Sequence, residues 1–158
     1  MNLIVVVDEN WAIGKGGDQL VYIRADLKRF QALTSGHTVI LGRKTLATFP
    51  GGRPLKNRTN LILSATPGYA VEGAQVFADL DTLLAHAPRD SFVIGGESVY
   101  RALLDHCDTA YVTKIHAAFP ADRYFPDLDV HPEWTAAEES EVLEENNIRF
   151  HYVTYRRQ

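Results

Sequence analysis

Among 158 residues, one carboxylate stands out of place. In the stretch RADLKRFQALTSG, Arg24 to Gly36, the residues Leu27, Phe30 and Leu33 recur at helical spacing and should pack on a core. Gly36 follows where a helix commonly ends. At ~100° per residue, Asp26 falls inside the arc spanned by Ile23, Leu27, Phe30 and Leu33, while Lys28 and Gln31 lie opposite. An ionised carboxylate on an apolar face costs several kcal/mol unless partners receive it. Asp26 therefore either caps its own first turn or meets a partner supplied by the fold or by a ligand.

Two further stretches point to anion chemistry. TVIL runs into Gly42-Arg43-Lys44-Thr45, and FVI runs into Gly95-Gly96-Glu97-Ser98. Both place small residues at a helix N-terminus, where free backbone N–H groups and the helix dipole favour an anion. Glycine, lacking Cβ, lets a phosphate approach the backbone. Arg43 and Lys44 add positive charge, and Thr45 can cap the helix or offer its hydroxyl to a phosphate. Each turn alone is equally consistent with a plain glycine turn. Two of them in one domain suit a ligand with several phosphates, a dinucleotide first of all. The first strand is not followed by GxGxxG, and GxxxxGK[ST] occurs nowhere, so neither a Rossmann fingerprint nor a P-loop is present.

The elements that must position these residues alternate along the chain. Buried strands are predicted at Asn2–Val7, Thr38–Leu41, Thr59–Leu63, Ala74–Phe77, Phe92–Ile94 and Thr109–Thr113. Helices are predicted over Arg24–Thr34, after Gly42 in a short turn ending near Phe49, from an Asp79 cap to about Ala87, and after Gly96. Two late antiparallel strands, Trp134 to Val142 and Ile148 to Arg156, join near Asn146 and Asn147. The pattern predicts a single α/β domain over residues 1–158. Its mixed, mostly parallel sheet should have about eight strands, end in an antiparallel hairpin and carry about four flanking helices. Ligands in such sheets sit at the carboxyl ends of the strands, where both glycine turns fall.

Composition sets the outer limits. Apolar residues make up 46% and charged residues 23%, ordinary for a globular protein. The net charge of −4 argues against nucleic-acid binding. No apolar run approaches the ~20 residues of a membrane span, and MNLIVVVDENW reads as a strand, not a signal peptide. The single cysteine, Cys107, rules out an intrachain disulfide and fits the cytoplasm; it is either a structural thiol or a reactive one. The six histidines show no zinc-like spacing.

Taken together, LIVVVDENWAIGKGG, ADLKRF, VILGRKT, RPLKNRTNLILS, VIGGESVY, YVTKI and DRYFPD resemble, in order and spacing, the dihydrofolate reductase family of bacterial type. The resemblance covers nearly the whole chain. It implies an NADPH-dependent reduction of 7,8-dihydrofolate to tetrahydrofolate by a monomer, open to antifolate inhibitors. Asp26 matches the family's active-site carboxylate, and Thr113 a threonine that hydrogen-bonds it directly or through water. Ile4, Val5, Val21, Phe30, Phe49, Leu55 and Ile94 match the walls around the pterin and aminobenzoyl rings. Arg58 matches the arginine that pairs with the glutamate tail of the substrate. Asn10–Tyr22 matches a mobile loop over the nicotinamide, with Val6, Ile13, Gly14 and Tyr100 at that end. Gly42, Arg43, Lys44 and Thr45 match the phosphate turn, and Ser64 the adenosine side. Gly95 and Gly96 match a pair joined by a cis peptide, and Glu97, Ser98 and Val99 begin the helix facing the pyrophosphate.

Three positions depart from the family. Val21 stands where many members carry a tryptophan, Arg24 where a proline commonly precedes the helix, and Ser98 where some carry an arginine for the 2′-phosphate. Glu97 would repel a phosphate if it pointed there. Lys28 and Arg29 are either solvated helix charges or contacts for extra glutamates, and Tyr111 is core or groove wall. Two other readings compete. A reductase of a ribosylaminopyrimidine on the same fold accounts less well for Asp26 and Arg58, and a non-catalytic nucleotide-binding module leaves Asp26 without a purpose.

Overall fold

Leu3 to Val7 are five consecutive apolar residues, which suits a strand covered on both faces. In the computed structural model, which describes residues 1–158, they form the middle of the sheet. The strands are β1 (Asn2–Val7), β2 (Ala12–Gly14), β3 (Thr38–Gly42), β4 (Thr59–Leu63), β5 (Ala74–Phe77), β6 (Phe92–Gly95), β7 (Thr109–Ile115), β8 (Arg123–Tyr124), β9 (Trp134–Glu139), β10 (Leu143–Glu145) and β11 (Ile148–Arg157). The helices are α1 (Arg24–Thr34), α2 (Arg43–Leu46), α3 (Leu80–His86) and α4 (Glu97–Leu103).

The main sheet runs β10-β11-β7-β1-β6-β3-β4-β5, and β9 extends the edge beside β11. From β7 to β5 all pairings are parallel. Only β11 reverses, against β7 and against its two edge partners. The mixed sheet matches the expectation, with one strand more because the last edge breaks in two. The predicted strand from Trp134 to Val142 stops at Glu139. There the Ser140 hydroxyl takes over a ladder position and accepts the Tyr152 N–H at 2.8 Å. The chain resumes pairing at Leu143 and turns back through Asn146 and Asn147, whose φ values of 52° and 64° suit a two-residue hairpin turn. A separate small pair, β2 with β8, ties the early loop to the later chain; its short strands escape the sequence pattern.

Side chains of β1 alternate between two cores. Leu3, Val5 and Val7 enter a large cluster with Leu83 of α3 and Leu103 of α4. Ile4 enters a second cluster with Val39, Leu41 and Ile62, against which Phe30 and Leu33 of α1 pack. Asp79 caps α3 as predicted, its carboxylate accepting the Thr82 N–H at 2.8 Å. Cys107 is buried, and burial pushes its thiol up to about 12, so it is the structural thiol.

The feature that makes a site is a split. β1 and β6 pair only through Asn2 with Phe92 and Leu3 with Val93. Beyond that point β1 follows β7 as far as Lys114, while β6 turns off into Gly95. A cleft opens between their carboxyl ends.

Candidate active site

The cleft encloses about 1800 Å³. α1 forms one wall, and its local sequence explains why. The only fully buried residue of α1 is Thr34. Leu27, expected on a core, is 49% exposed and lines the cleft, while Phe30 lines it and also packs on the second cluster. The apolar face of this helix is largely a cavity wall, so the 3.6-residue pattern is kept although one of its members is not enclosed.

Asp26 projects from that wall into the cleft. Its Oδ1 accepts a hydrogen bond from Thr113 Oγ1 of β7 at 2.5 Å. Burial raises the Asp26 pKa above the ordinary carboxylate value, and the Thr113 bond and the nearby Arg29 charge pull it back part of the way. Asp26 does not cap its own helix. Glu145 of β10 does so from across the chain, accepting the N–H groups of Arg24 at 2.6 Å and Ala25 at 3.1 Å. A proline at position 24 would remove the first of these donors. Thr113 is almost fully buried and forms no part of the cleft wall; it supports the carboxylate from behind.

Arg29 corrects a sequence reading. It is neither a solvated charge nor a cleft residue. Its guanidinium lies 4.0 Å from the ring centroid of Tyr152 and 5.9 Å from that of Tyr111, while Lys28 remains exposed. A planar, weakly hydrated guanidinium stacks on aromatic faces where an ammonium would stay in water. Tyr111 itself packs on the second cluster as core.

Arg58 approaches from the far end of α1. Its Nη1 donates to Thr34 Oγ1 at 3.1 Å and its Nε to the Lys56 carbonyl at 2.8 Å. Asn60 fixes that turn by exchanging hydrogen bonds with the Leu55 backbone at 3.0 Å in both directions. Phe49 and Leu55 complete this part of the wall, with Ile4, Val5, Val21 and Ile94 deeper in. Val21 occupies its place as a plain apolar surface packed near Ile23.

The opposite end is built from the two glycine turns, which touch. A Cβ on Gly96 would lie 3.2 Å from Thr45 Oγ1, and one on Gly95 3.3 Å from the same atom. A Cβ on Gly42 would lie 3.1 Å from Val99. The Gly95–Gly96 peptide is cis, as the resemblance implies. Thr45 makes no capping bond to α2, and its Oγ1 lies against the second turn. Arg43 and Lys44 are exposed in the cleft wall and form no salt bridge. Glu97 is turned aside: its Oε2 accepts the Tyr124 N–H of β8 at 2.7 Å. Ser98, Val99 and Ser64 line the same end. Tyr100 is buried behind it, its hydroxyl donating to the Ile4 carbonyl at 2.6 Å.

The loop from Asn10 to Tyr22 closes the third side through Ile13 and Gly14, facing Val6 of β1. Its base is stapled by buried Asp8, which accepts the N–H groups of Asn10, Ala12 and Phe119 at 2.8 to 2.9 Å. Asp8, Asn60 and Glu145 escaped the sequence reading because each works through backbone partners that no local pattern announces.

This geometry has relatives. A family model described as dihydrofolate reductase matches residues 1–157. The chain belongs to the dihydrofolate reductase family.

A dihydrofolate reductase of Bacillus subtilis (strain 168) is 35% identical over 159 residues, covering 98% of this chain and 93% of its own. A type 3 dihydrofolate reductase of Salmonella typhimurium is 34% identical and covers 100% and 98%. Among solved structures, the dihydrofolate reductase of Enterococcus faecalis complexed with NADP(H) and RAB-propyl superposes with a TM-score of 0.87. That chain is 36% identical, and the match covers 99% of this chain and 95% of it. Every wall residue that the dihydrofolate reductase resemblance implied lines the cleft.

Proposed function

We propose that the cleft reduces 7,8-dihydrofolate to 5,6,7,8-tetrahydrofolate with NADPH, supplying one-carbon transfer for thymidylate and purine synthesis. Asp26 carries the reading: it is a desolvated carboxylate backed by Thr113 and aimed into a cleft that has apolar walls around it and room for a pterin beside a dinucleotide. The amino-pyrimidine edge of a pterin presents a 2-amino group and a ring N3–H side by side. Two parallel hydrogen bonds from that edge to Asp26 orient the ring. The walls formed by Ile4, Val5, Phe30, Phe49, Leu55 and Ile94 exclude water and keep those bonds strong. Arg58, held by Thr34, receives the tail carboxylate.

The residues at the other end fit NADPH. The missing Cβ atoms let the two turns abut and bring their backbones together at one end of the cleft for a pyrophosphate, and Arg43 and Lys44 offer unpaired charge to the 2′-phosphate with Glu97 turned away. Ser64 serves the adenosine side. Bound NADPH supplies a hydride to C6 of the pterin. The chain holds the two rings together through Val6, Ile13, Gly14 and Tyr100. The negative charge of Asp26 favours the protonated pterin, and water admitted beside the loop delivers the proton to N5. The enzyme works in the cytoplasm as a monomer and is inhibited by antifolates that present the same amino-pyrimidine edge.

The test is loss of NADPH absorbance on adding dihydrofolate. Wild type consumes NADPH, and Asp26→Asn lowers kcat/KM by roughly 100-fold, the value of two charge-assisted hydrogen bonds. A well-folded wild type that leaves NADPH untouched overturns the proposal.

A further inference from the structure

The cleft uses Asp26 but leaves unexplained the charge behind it. Arg29 lies one turn further along α1, on the side away from the cleft, and lines no part of it. Its guanidinium is stacked on Tyr152 at 4.0 Å and reaches Tyr111 at 5.9 Å. Its Nη1 is buried without an acceptor. It forms no salt bridge with any carboxylate. A guanidinium stays charged under these conditions, so a whole positive charge is fixed behind α1 by aromatic faces.

The groups around Asp26 come from five elements. Thr113 of β7 donates to it, and its charge is felt by Tyr100 of α4 and Tyr152 of β11. Arg29, on its own helix, is the cation whose field reaches it. Glu145 of β10 adds negative charge at the head of α1, near enough to act on Tyr152. Burial works against a negative charge here, and two groups work for it: the Thr113 hydroxyl by its hydrogen bond and Arg29 by its charge.

We propose that Arg29 is a positioning residue for Asp26: fixed by the tyrosines one helical turn along α1, with no carboxylate of its own, its charge favours the ionised carboxylate that grips the pterin edge. This rests on the reading that Asp26 anchors the pterin. The arrangement explains why a long cation is sequestered between tyrosines when water lies one helix face away. The aromatic faces hold the guanidinium at fixed distance, where it biases the carboxylate without neutralising it by direct contact.

The experiment titrates Asp26 directly, by the 13Cγ resonance of labelled aspartate in the ligand-free protein, assigned by its disappearance in Asp26→Asn. Removing the cation in Arg29→Met or Arg29→Gln moves the Asp26 midpoint up by roughly one pH unit, and Arg29→Lys, whose ammonium leaves the tyrosines for water, moves it up by less. In the same variants KM for dihydrofolate rises about tenfold below the shifted midpoint and returns to the wild-type value above it, where the carboxylate is ionised in both proteins. An unmoved midpoint, or a rise in KM that is equal at every pH, overturns the proposal. If neither neutral variant folds, Tyr152→Leu decides, because it frees the guanidinium toward solvent: an upward shift supports the proposal and an unmoved midpoint overturns it. Failure of the underlying reading looks different. Wild type and Asp26→Asn would then share one KM for dihydrofolate, whatever the midpoint does in the Arg29 variants.

Discussion

The two ends of the cleft are made of different material. At the α1 end the working groups are side chains, each held by partners far away in sequence: Asp26 by Thr113, Arg58 by Thr34, and the helix start by Glu145. At the glycine end the working surface is backbone, shaped by two short turns that press on each other through Thr45. Recognition of a flat, amino-edged ring needs a charge at one fixed point, which only a braced side chain supplies. Recognition of phosphates needs close approach and many N–H groups, which a bare backbone supplies.

Asp26→Asn should break the contrast most severely, with the ~100-fold loss given above. It should also separate function from stability. The Asp26 pKa is raised in the folded chain, so between the unfolded and folded values the native state holds the extra proton. Stability from this group is full below the unfolded value and is lost as pH rises through the folded one. Asp26→Asn escapes that loss, so its melting temperature should equal or exceed that of wild type near neutrality and lose the advantage in acid, as thermal unfolding across pH would show.

At the other end the largest effect should come from filling the seam between the turns. Gly96→Ala places a methyl against Thr45 Oγ1 and should weaken NADPH binding roughly 30-fold. Adding Thr45→Ala should recover most of that loss relative to Thr45→Ala alone, and a double-mutant cycle from titrations of NADPH fluorescence measures the coupling. Independent losses would show that the turns do not act as one cradle. Arg43→Ala should weaken NADPH about tenfold and NADH far less, with the difference shrinking in high salt. Equal losses would remove Arg43 from the 2′-phosphate. Smallest is Glu145→Gln, which weakens the cap on α1: about 1 kcal/mol of stability, read by denaturant unfolding, with a few-fold rise in KM for dihydrofolate.

The same contrast governs how much could be read from sequence. Glycines after apolar runs are local signals, so Gly42 and Gly96 announce the starts of α2 and α4, and periodicity announces α1. Asp26 was visible as an anomaly, but its partner Thr113 came only through the family resemblance, because a contact across 87 positions leaves no trace in spacing. Leu27 was misassigned to a core because a cavity wall and a core share one apolar pattern. Arg29 was misassigned because two aromatic rings brought in from β7 and β11 make a site for a cation that α1 alone would leave in water. The broken edge strand depended on one serine hydroxyl substituting for backbone.

The bond from Glu145 to the start of α1 joins residues 121 positions apart. During synthesis, α1 leaves the ribosome long before the hairpin that caps it. β10 docks only through β11, which must first zip onto β7. A nascent chain halted before residue 145 thus has every glycine turn in hand and still lacks a finished substrate pocket, so cofactor affinity should emerge earlier in translation than folate affinity.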